Sequence, residues 1–444
     1  MNKEFHKKQN FFSFSDIDSE RKDRIMKFTS TEATPAPHVP PGVLRLTGAA
    51  KEDIPMYRIQ TMNKISPVGL NRFPSELYEV GDAVQDPQGI LVRSAKLLDL
   101  EFNPSLLAIA RAGVGVNNIP LDCCAAAGIP VFSTPGANAN AVKELVICAM
   151  LMGSRDIPGA IRWVREQAAS GADVSTVVEK GKSAFIGPEL YKKTLGIIGL
   201  GAIGSIVANT AISLGMDVYG YDPFLSVDTA LRLDRHVHVV KDINDLYKRS
   251  NYITMHIHYT EKTAHMIDAD AIAAMKRGVR VINLARGEIV DDEAMLTALD
   301  TGMVAAYITD FPNNRLLTAP HVIAMPHLGA STPESEQNCA AMAVDTLRDY
   351  LESGNIRSSV NLPEMTMDRS GVQRLCVLHK NVPGMLANIT SLFGRDGVNV
   401  ENLSNKSRGD YAYTMVDLGS KVGDNVIEDV RRTANVIRVR SLEW

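Results

Sequence analysis

The run Gly199-Leu-Gly201-Ala202-Ile203-Gly204 follows an apolar stretch at 194–198 and opens a second one that reaches Leu214. In a strand–turn–helix unit the first glycine permits the tight turn, the second lets a pyrophosphate approach the backbone, and the third lets helix and strand pack closely. Backbone N–H groups at the start of the helix, from Ala202 and Ile203, then meet the phosphates with the favourable end of the dipole. With 32 glycines in 444 residues a bare GxGxxG is a weak signal. A strand before it, a helix after it and an acid closing the next strand make it a strong one. Asp222 is that acid, 18 residues past Gly204. Its carboxylate suits the hydroxyls of an adenosine ribose and repels a 2′-phosphate, which selects NAD over NADP.

Two further residues have the chemistry to work beside such a cofactor. Arg286, in Asn283-Leu-Ala-Arg286-Gly287, follows an apolar strand pattern, and a strand-end guanidinium beside glycine can hold a carboxylate bidentately. His327, in Pro326-His327-Leu-Gly-Ala-Ser-Thr332, ends another strand, and an imidazole titrating near neutrality can take and return a hydroxyl proton. Arginine, histidine and dinucleotide together equip a 2-hydroxyacid oxidoreductase. The pairs His236/His238 and His256/His258 sit at i, i+2 on strand-like segments and share a face. No third ligand is spaced to join either pair, so no metal site is expected.

These residues need strands to end beside one another, and the chain supplies them. Short apolar runs at 57–61, 89–92, 106–109 and 130–133 alternate with helical patterns, and a second series follows at 194–198, 217–221, 252–256, 280–284 and 305–308. That alternation is βαβ architecture with parallel sheets. Apolar helices beginning near Asn140 and after Ser331 bracket the second series. The expected fold is α/β: a Rossmann-type dinucleotide domain (137–329) inserted in a flavodoxin-like, doubly wound substrate domain (56–136 and 330–362). From 371 to 444 the pattern reads strand, helix, strand, strand, helix, strand, a ferredoxin-like βαββαβ unit. Residues 1–55 lack periodicity and carry a proline-rich run at 31–41, so they read as an N-terminal extension and linker.

Composition agrees. At about 150 residues per domain, 444 residues suggest about three, and a net charge of −4 leaves no basic stripe for a nucleic-acid backbone. The longest apolar stretch, 145–152, is too short to span a bilayer. Five cysteines without CxxC spacing read as buried thiols of a reducing compartment. The basic N-terminus lacks an apolar core and carries acids, so the cytoplasm is expected.

Residues 56–363 resemble the D-isomer-specific 2-hydroxyacid dehydrogenases. The resemblance rests on Val92-Arg93-Ser94-Ala95, Ala110-Arg-Ala-Gly-Val114-Gly115-Val-Asn-Asn-Ile119, Thr134-Pro-Gly-Ala-Asn138, the glycine fingerprint, Asn283-Leu-Ala-Arg-Gly-Glu-Ile-Val290 and Pro326-His-Leu-Gly-Ala-Ser-Thr332, in that order. It implies NAD-dependent oxidation of a D-2-hydroxyacid at C2, with D-3-phosphoglycerate as the expected substrate. His327 is then the base, and Arg286 holds the carboxylate. Arg93, Ser94 and Asn138 contact phosphate or hydroxyl, the N–H groups of Val114 and Gly115 contact the carboxylate, and Arg111 adds positive charge. Asp310 matches the aspartate that meets the nicotinamide carboxamide. The glutamate that usually follows, and that orients the histidine, is absent from Asp310-Phe-Pro-Asn-Asn-Arg315; the alternatives are that Glu334 or Glu336 takes its place or that the site does without one.

The 371–444 unit resembles an ACT domain. His379, Asn381 and Asn399 match positions that bind L-serine in regulated members of the family, and this reading expects them at one end of the unit, in a homodimer or homotetramer. Dehydrogenation of another D-2-hydroxyacid is the alternative within the class; an NAD-sensing, corepressor-like binding protein is the alternative outside it.

Overall fold

A computed structural model describes residues 56–444; the extension and linker read at 1–55 lie outside the described residues. Strands β1 (Tyr57–Met62), β2 (Tyr78–Gly81), β3 (Gly89–Val92), β4 (Ala108–Arg111) and β5 (Val131–Phe132) form a parallel sheet in the order β2-β1-β3-β4-β5. This is the flavodoxin-like order. All four residues of β3 are buried, as a strand covered on both faces requires.

A second parallel sheet holds β6 (Thr194–Ile198), β7 (Asp217–Tyr221), β8 (Val237–Val240), β9 (Tyr252–Met255), β10 (Val279–Asn283), β11 (Val304–Thr309) and β12 (Val322–Ala324), ordered β12-β11-β10-β9-β6-β7-β8. Chain direction across the sheet reverses at the β6/β9 pair, the Rossmann pattern with one strand added. Helix α1 (Ala139–Arg155) carries the chain out of the first sheet and packs on the second; α2 (Ala202–Ser213) follows β6; α3 (Pro333–Ser353) returns and packs on β3, β4 and β5. The ends of α3 are chemically marked. Thr332 Oγ1 accepts from Ser335 N, Pro333 takes the first position, and Gly354 stops the helix at φ 75°, where a side chain would be strained.

Antiparallel strands β13 (Gln373–Lys380), β14 (Val400–Arg408), β15 (Tyr411–Leu418) and β16 (Val436–Glu443) make the third sheet, ordered β14-β15-β13-β16. With α4 (Met385–Arg395) and α5 (Asp424–Arg432) this is the expected βαββαβ unit. Period-two alternation divides it. Leu375, Val377 and Val416 join Ile389, Phe393 and Val430 in one core, while Cys376, Leu378, Tyr413 and Met415 join Tyr350 and Leu351 of α3 in the core of the first sheet. The buried Arg374 pairs with Asp417 and donates to the carbonyls of Ser353, Met367 and Asp368. Arg440 donates to those of Tyr350 and Leu351. Carbonyls of the last turn of α3, those of Tyr350, Leu351 and Ser353, thus accept from arginines of the third sheet.

Three details depart from expectation. Strand β2, absent from the expected series, completes an edge of the first sheet, and β4 begins two residues later than the apolar run that starts at Leu106, because Leu106 and Leu107 belong to the turn entering it. The cysteines are not uniformly buried: Cys123 and Cys148 are exposed, on helix faces turned from the core.

Candidate active site

In doubly wound sheets ligands bind beyond the carboxyl ends of the strands, where the strand order reverses. Arg93 and Ser94 follow β3 at the reversal of the first sheet, Val114 and Gly115 follow β4, and Asn138 lies after β5. Gly199 to Gly204 follow β6 at the reversal of the second sheet, Asp222 follows β7, Arg286 β10, Asp310 β11 and His327 β12. Direct contacts join the two sets. A side-chain carbon on Gly115 would stand 3.2 Å from Arg286 Nη2, and one on Gly136 3.2 Å from Ala202 Cβ.

In the glycine turn the backbone is built around missing side chains. Gly199 has φ 92°, with the His256 carbonyl 2.6 Å from where a Cβ would stand, and a Cβ on Gly204 would lie 1.9 Å from the Gly199 carbonyl. The same construction at Gly201 meets nothing within 4 Å, so the second glycine faces open space. No side chain caps α2, leaving Ala202 and Ile203 to present free N–H groups. Asp222 is fixed from both sides: Leu200 N donates to Oδ2 at 2.9 Å and Phe224 N to Oδ1 at 2.8 Å.

The substrate side is strongly cationic. Arg111 Nε donates to the Arg93 carbonyl at 3.0 Å, and burial, together with the charges of Arg286 and Arg93, pushes Arg111 below the ordinary arginine range. The guanidiniums of Arg111 and Arg286 therefore stand beside Gly113 and Gly115, with the charge of Arg93 near enough to act on Arg111, and no backbone acceptor is paired with the N–H of Val114 or Gly115. Glu336 Oε1 stands 2.5 Å from Arg93 Nη2. The Arg93–Ser94 turn is held by residues that sequence reasoning did not single out. Asn63 Oδ1 accepts from Ser94 N and Ala95 N, and Asn118 Nδ2 donates to the Ala95 carbonyl.

Around the histidine, Asp310 is 1% exposed, with Oδ2 accepting from Gly329 N at 3.1 Å. Burial raises its pKa, against which the neighbouring His327 acts. Neither Glu334 nor Glu336 bonds to the His327 ring, and Arg315 is drawn away into an ion pair with Glu293. Among the described residues, buried side-chain polar atoms without a partner are Asn118 Oδ1, Thr134 Oγ1, Asn138 Oδ1 and Asp310 Oδ1. All four belong to the loops that frame this cleft. Leaving such atoms unpaired costs about 1–3 kcal/mol each, and a ligand relieves it. Asn138 is telling, because it stands at the N-cap of α1 yet makes no capping bond, the usual use of asparagine there.

The residues matched to an effector site are not brought together within one copy. His379 lies at the end of β13 that pairs with Ala412, and Asn381 donates to the Gly409 carbonyl nearby, whereas Asn399 precedes Val400, which pairs with Leu418 at the opposite end. Eight-residue strands at about 3.3 Å per residue separate those ends by about 23 Å. This corrects the expectation of a shared end. His379 is also 2% exposed, with Nδ1 on the Lys380 carbonyl and Nε2 on Thr414, so its ring is engaged inside the sheet.

Three of the four histidines in the HxH pairs have neighbours of their own. His236 pairs with Asp234, His238 stacks on Tyr219, and burial lowers His256 to about 3 while its Nε2 meets Thr254. Among the described residues no three His, Cys, Asp or Glu side chains gather as a metal site, and no helix is long and apolar enough to cross a membrane.

A flavodoxin-like sheet and a Rossmann sheet meeting at their carboxyl edges, with an open glycine turn on one and arginines on the other, define a two-sheet α/β protein of the dinucleotide-binding class. Residues 147–329 match the profile of the D-isomer specific 2-hydroxyacid dehydrogenase NAD binding domain. The D-3-phosphoglycerate dehydrogenase of Haemophilus influenzae is 31% identical over 379 residues, 82% of this chain and 88% of that protein, and that of Escherichia coli K12 is 30% identical over 384 residues, 82% and 89%. The chain belongs to the D-isomer-specific 2-hydroxyacid dehydrogenase family and carries its NAD-binding domain. It spans 55–60% of the length of the longer D-3-phosphoglycerate dehydrogenases of Synechocystis, Methanocaldococcus jannaschii and Bacillus subtilis. Among solved structures, NAD+-bound 3-phosphoglycerate dehydrogenase from Entamoeba histolytica matches at TM-score 0.54 and 26% identity, covering 69% of this chain and 99% of that one. Holo D-mandelate dehydrogenase from Rhodotorula graminis shares the fold at TM-score 0.60 and 21% identity, covering 71% and 100%.

Proposed function

We propose that this chain oxidises D-3-phosphoglycerate at C2 to 3-phosphohydroxypyruvate with NAD, the step that opens L-serine biosynthesis. The observation that carries the reading is that Arg111 and Arg286 flank Gly113 and Gly115, with Arg93 next to them and its charge acting on Arg111. Three neighbouring guanidiniums, two of them at the glycine backbone and the third on the more open side, suit a substrate with two anionic groups, a carboxylate and a phosphate. The relatives named above bear the name of this activity.

Each residue then has a task. Arg286 and the N–H groups of Val114 and Gly115 hold the carboxylate, and Arg286 polarises the C2–O bond. Arg93 and Ser94 take the phosphate, with Arg111 behind them. Asn138, its Oδ1 unpaired, accepts from a substrate hydroxyl. His327 removes the C2 hydroxyl proton as the hydride leaves. NAD, when bound, is the hydride acceptor. Gly201 leaves room for its pyrophosphate, Ala202 and Ile203 donate to the phosphates, Asp222 receives the ribose hydroxyls, and the orphaned Asp310 Oδ1 receives a carboxamide N–H.

The 371–444 domain is proposed to take L-serine as an effector. Because Asn381 and Asn399 lie at opposite ends of one sheet, such a site requires two copies, which supports a homodimer or homotetramer. A cytoplasmic setting accords with five free cysteines.

Steady-state assay on a panel of D-2-hydroxyacids tests the reading. The kcat/KM for D-3-phosphoglycerate is expected to exceed that for D-glycerate and D-lactate by more than tenfold; equal values would overturn it.

A further inference from the structure

One side chain touches both proposed reacting partners of the substrate. The ring of Phe311 lies with its centroid 4.6 Å from that of His327, inclined at 49°, and the Arg286 guanidinium carbon stands 5.7 Å from the same centroid. The first is a favourable tilted aromatic contact, the second a cation over an aromatic face. His327 is exposed, and neither of its ring nitrogens has a hydrogen-bond partner among the described residues. A base in a nucleophile–base pair needs a third group to fix its direction, and here no polar group supplies it.

Phe311 is itself held. Its N–H donates to the buried Thr309 Oγ1 at 3.0 Å, and its Cβ packs 3.4 Å from where a side chain on Gly287 would begin. On the Arg286 side, Asn283 is fully buried and donates to the Arg286 carbonyl at 2.8 Å, while Arg286 Nη1 donates to the Ala285 carbonyl at 2.6 Å. Arg286 is thus fixed at its backbone, but its guanidinium keeps most of its donors free for a substrate, and the aromatic face steadies the fork without consuming them.

We infer that Phe311 is a positioning residue that orients the His327 imidazole and the Arg286 guanidinium together. The inference rests on the roles given to those two residues above. A ring that packs on the imidazole stabilises the cation formed when His327 accepts a proton and ties the spacing of base to carboxylate clamp, so that both move, or stay, as one unit. The effect belongs to kcat and to the acid substrate, because the two side chains whose rings or charges Phe311 meets are those assigned to the substrate rather than to the cofactor.

The test uses the full chain, Phe311→Leu and Phe311→Tyr. Phe311→Leu is expected to lose about tenfold in kcat on D-3-phosphoglycerate, equivalent to about 1.4 kcal/mol, with KM for NAD unchanged, and Phe311→Tyr to stay within twofold of the parent. Imidazole signals in the 15N-histidine spectrum, assigned to His327 by their loss in His327→Ala, are expected to shift in Phe311→Leu as the ring current disappears and to hold in Phe311→Tyr. If Phe311→Leu does not fold, Phe311→Met carries the same comparison. Full activity in Phe311→Leu or unmoved His327 signals overturn the inference. A parent protein that turns over no 2-hydroxyacid, with His327 signals still dependent on Phe311, overturns the proposed function and leaves the positioning intact.

Discussion

Glu336, in the first turn of α3, reaches across to Arg93 with its Oε1 2.5 Å from Nη2, so that the anion expected at Arg93 meets a resident carboxylate. Both side chains are a little under half exposed, and a pair so placed contributes about 0–1 kcal/mol to stability. Its consequence lies in binding. Glu336→Gln removes a negative charge beside the phosphate position and is expected to lower KM for D-3-phosphoglycerate severalfold, leave kcat close to the parent value and move Tm by less than about 2 °C. Initial rates and a melting curve check it.

His327→Ala is expected to lower kcat by about 10²–10⁴-fold, the contribution of a positioned base, while NAD affinity measured by fluorescence titration stays near the parent value. Arg315→Ala is expected to leave the acid limb of the pH–rate profile in place, because Arg315 is exposed and paired with Glu293. A displaced limb would bring the segment after Asp310 into the proton chemistry.

Cofactor choice follows from Asp222. Its carboxylate is fixed by the N–H groups of Leu200 and Phe224 and cannot swing away from a 2′-phosphate without losing both bonds. NAD is expected to exceed NADP by well over tenfold in kcat/KM, more than about 1.4 kcal/mol, and Asp222→Ala to narrow the ratio chiefly by weakening NAD. Paired kinetics with the two cofactors decide it.

Much of this was legible in the chain because it is local. The strand patterns at 89–92, 194–198 and 217–221 coincide with β3, β6 and β7: β3 and β6 are apolar runs buried along nearly their whole length and β7 alternates buried with more exposed residues, and either pattern leaves little freedom in register. Strand β2 was not legible, and β8 and β12 showed only as strand-like segments around His238 and before His327. Tyr78-Glu-Val-Gly81 and Val237-His-Val-Val240 are short edge or near-edge segments whose strand state comes from pairing to β1 and β7. The same holds at the site. Glycine spacing and strand-end arginines show in sequence, whereas Phe311 and Asn118 act only through contacts that folding creates. Asn399 misled for the converse reason: sequence proximity to β14 says nothing of which end of the sheet it occupies.

Asp310 links function to stability. Burial holds its pKa above the ordinary carboxylate value, so over the window between the unfolded and folded values the folded chain keeps a proton that the unfolded chain has lost, and stability falls as pH rises through it. Below the window the group is neutral in both states; above it the full cost of a buried carboxylate with an unpaired Oδ1 remains. Asp310→Asn is expected to raise Tm at pH 7, to flatten the pH dependence of Tm just above the ordinary carboxylate range, and to weaken NAD. Calorimetric scans from pH 4 to 8 beside NAD titration test this, and a lower Tm at pH 7 would contradict it.

The opposed positions of Asn381 and Asn399 make a prediction about assembly. If L-serine is held by Asn381 of one copy and Asn399 of another, Asn381→Ala and Asn399→Ala each remove inhibition from a homo-oligomer while leaving uninhibited activity unchanged, since both residues are remote from the cleft. Mixed oligomers behave differently. In a dimer built from one chain of each variant, one of the two shared sites lacks both asparagines and the other keeps both, so serine sensitivity is expected to return in part when the two inactive-site proteins are unfolded, mixed and refolded together. A site contained within one chain gives no such recovery, because every copy then carries a defect. Isothermal titration of L-serine into the mixed sample, with a stoichiometry near one quarter of that of the parent protein because half of the randomly refolded dimers are mixed and each mixed dimer keeps one of two sites, separates the two arrangements. No binding to the parent at millimolar serine would leave the 371–444 domain, with its arginines clasping the end of α3, as an element of assembly alone.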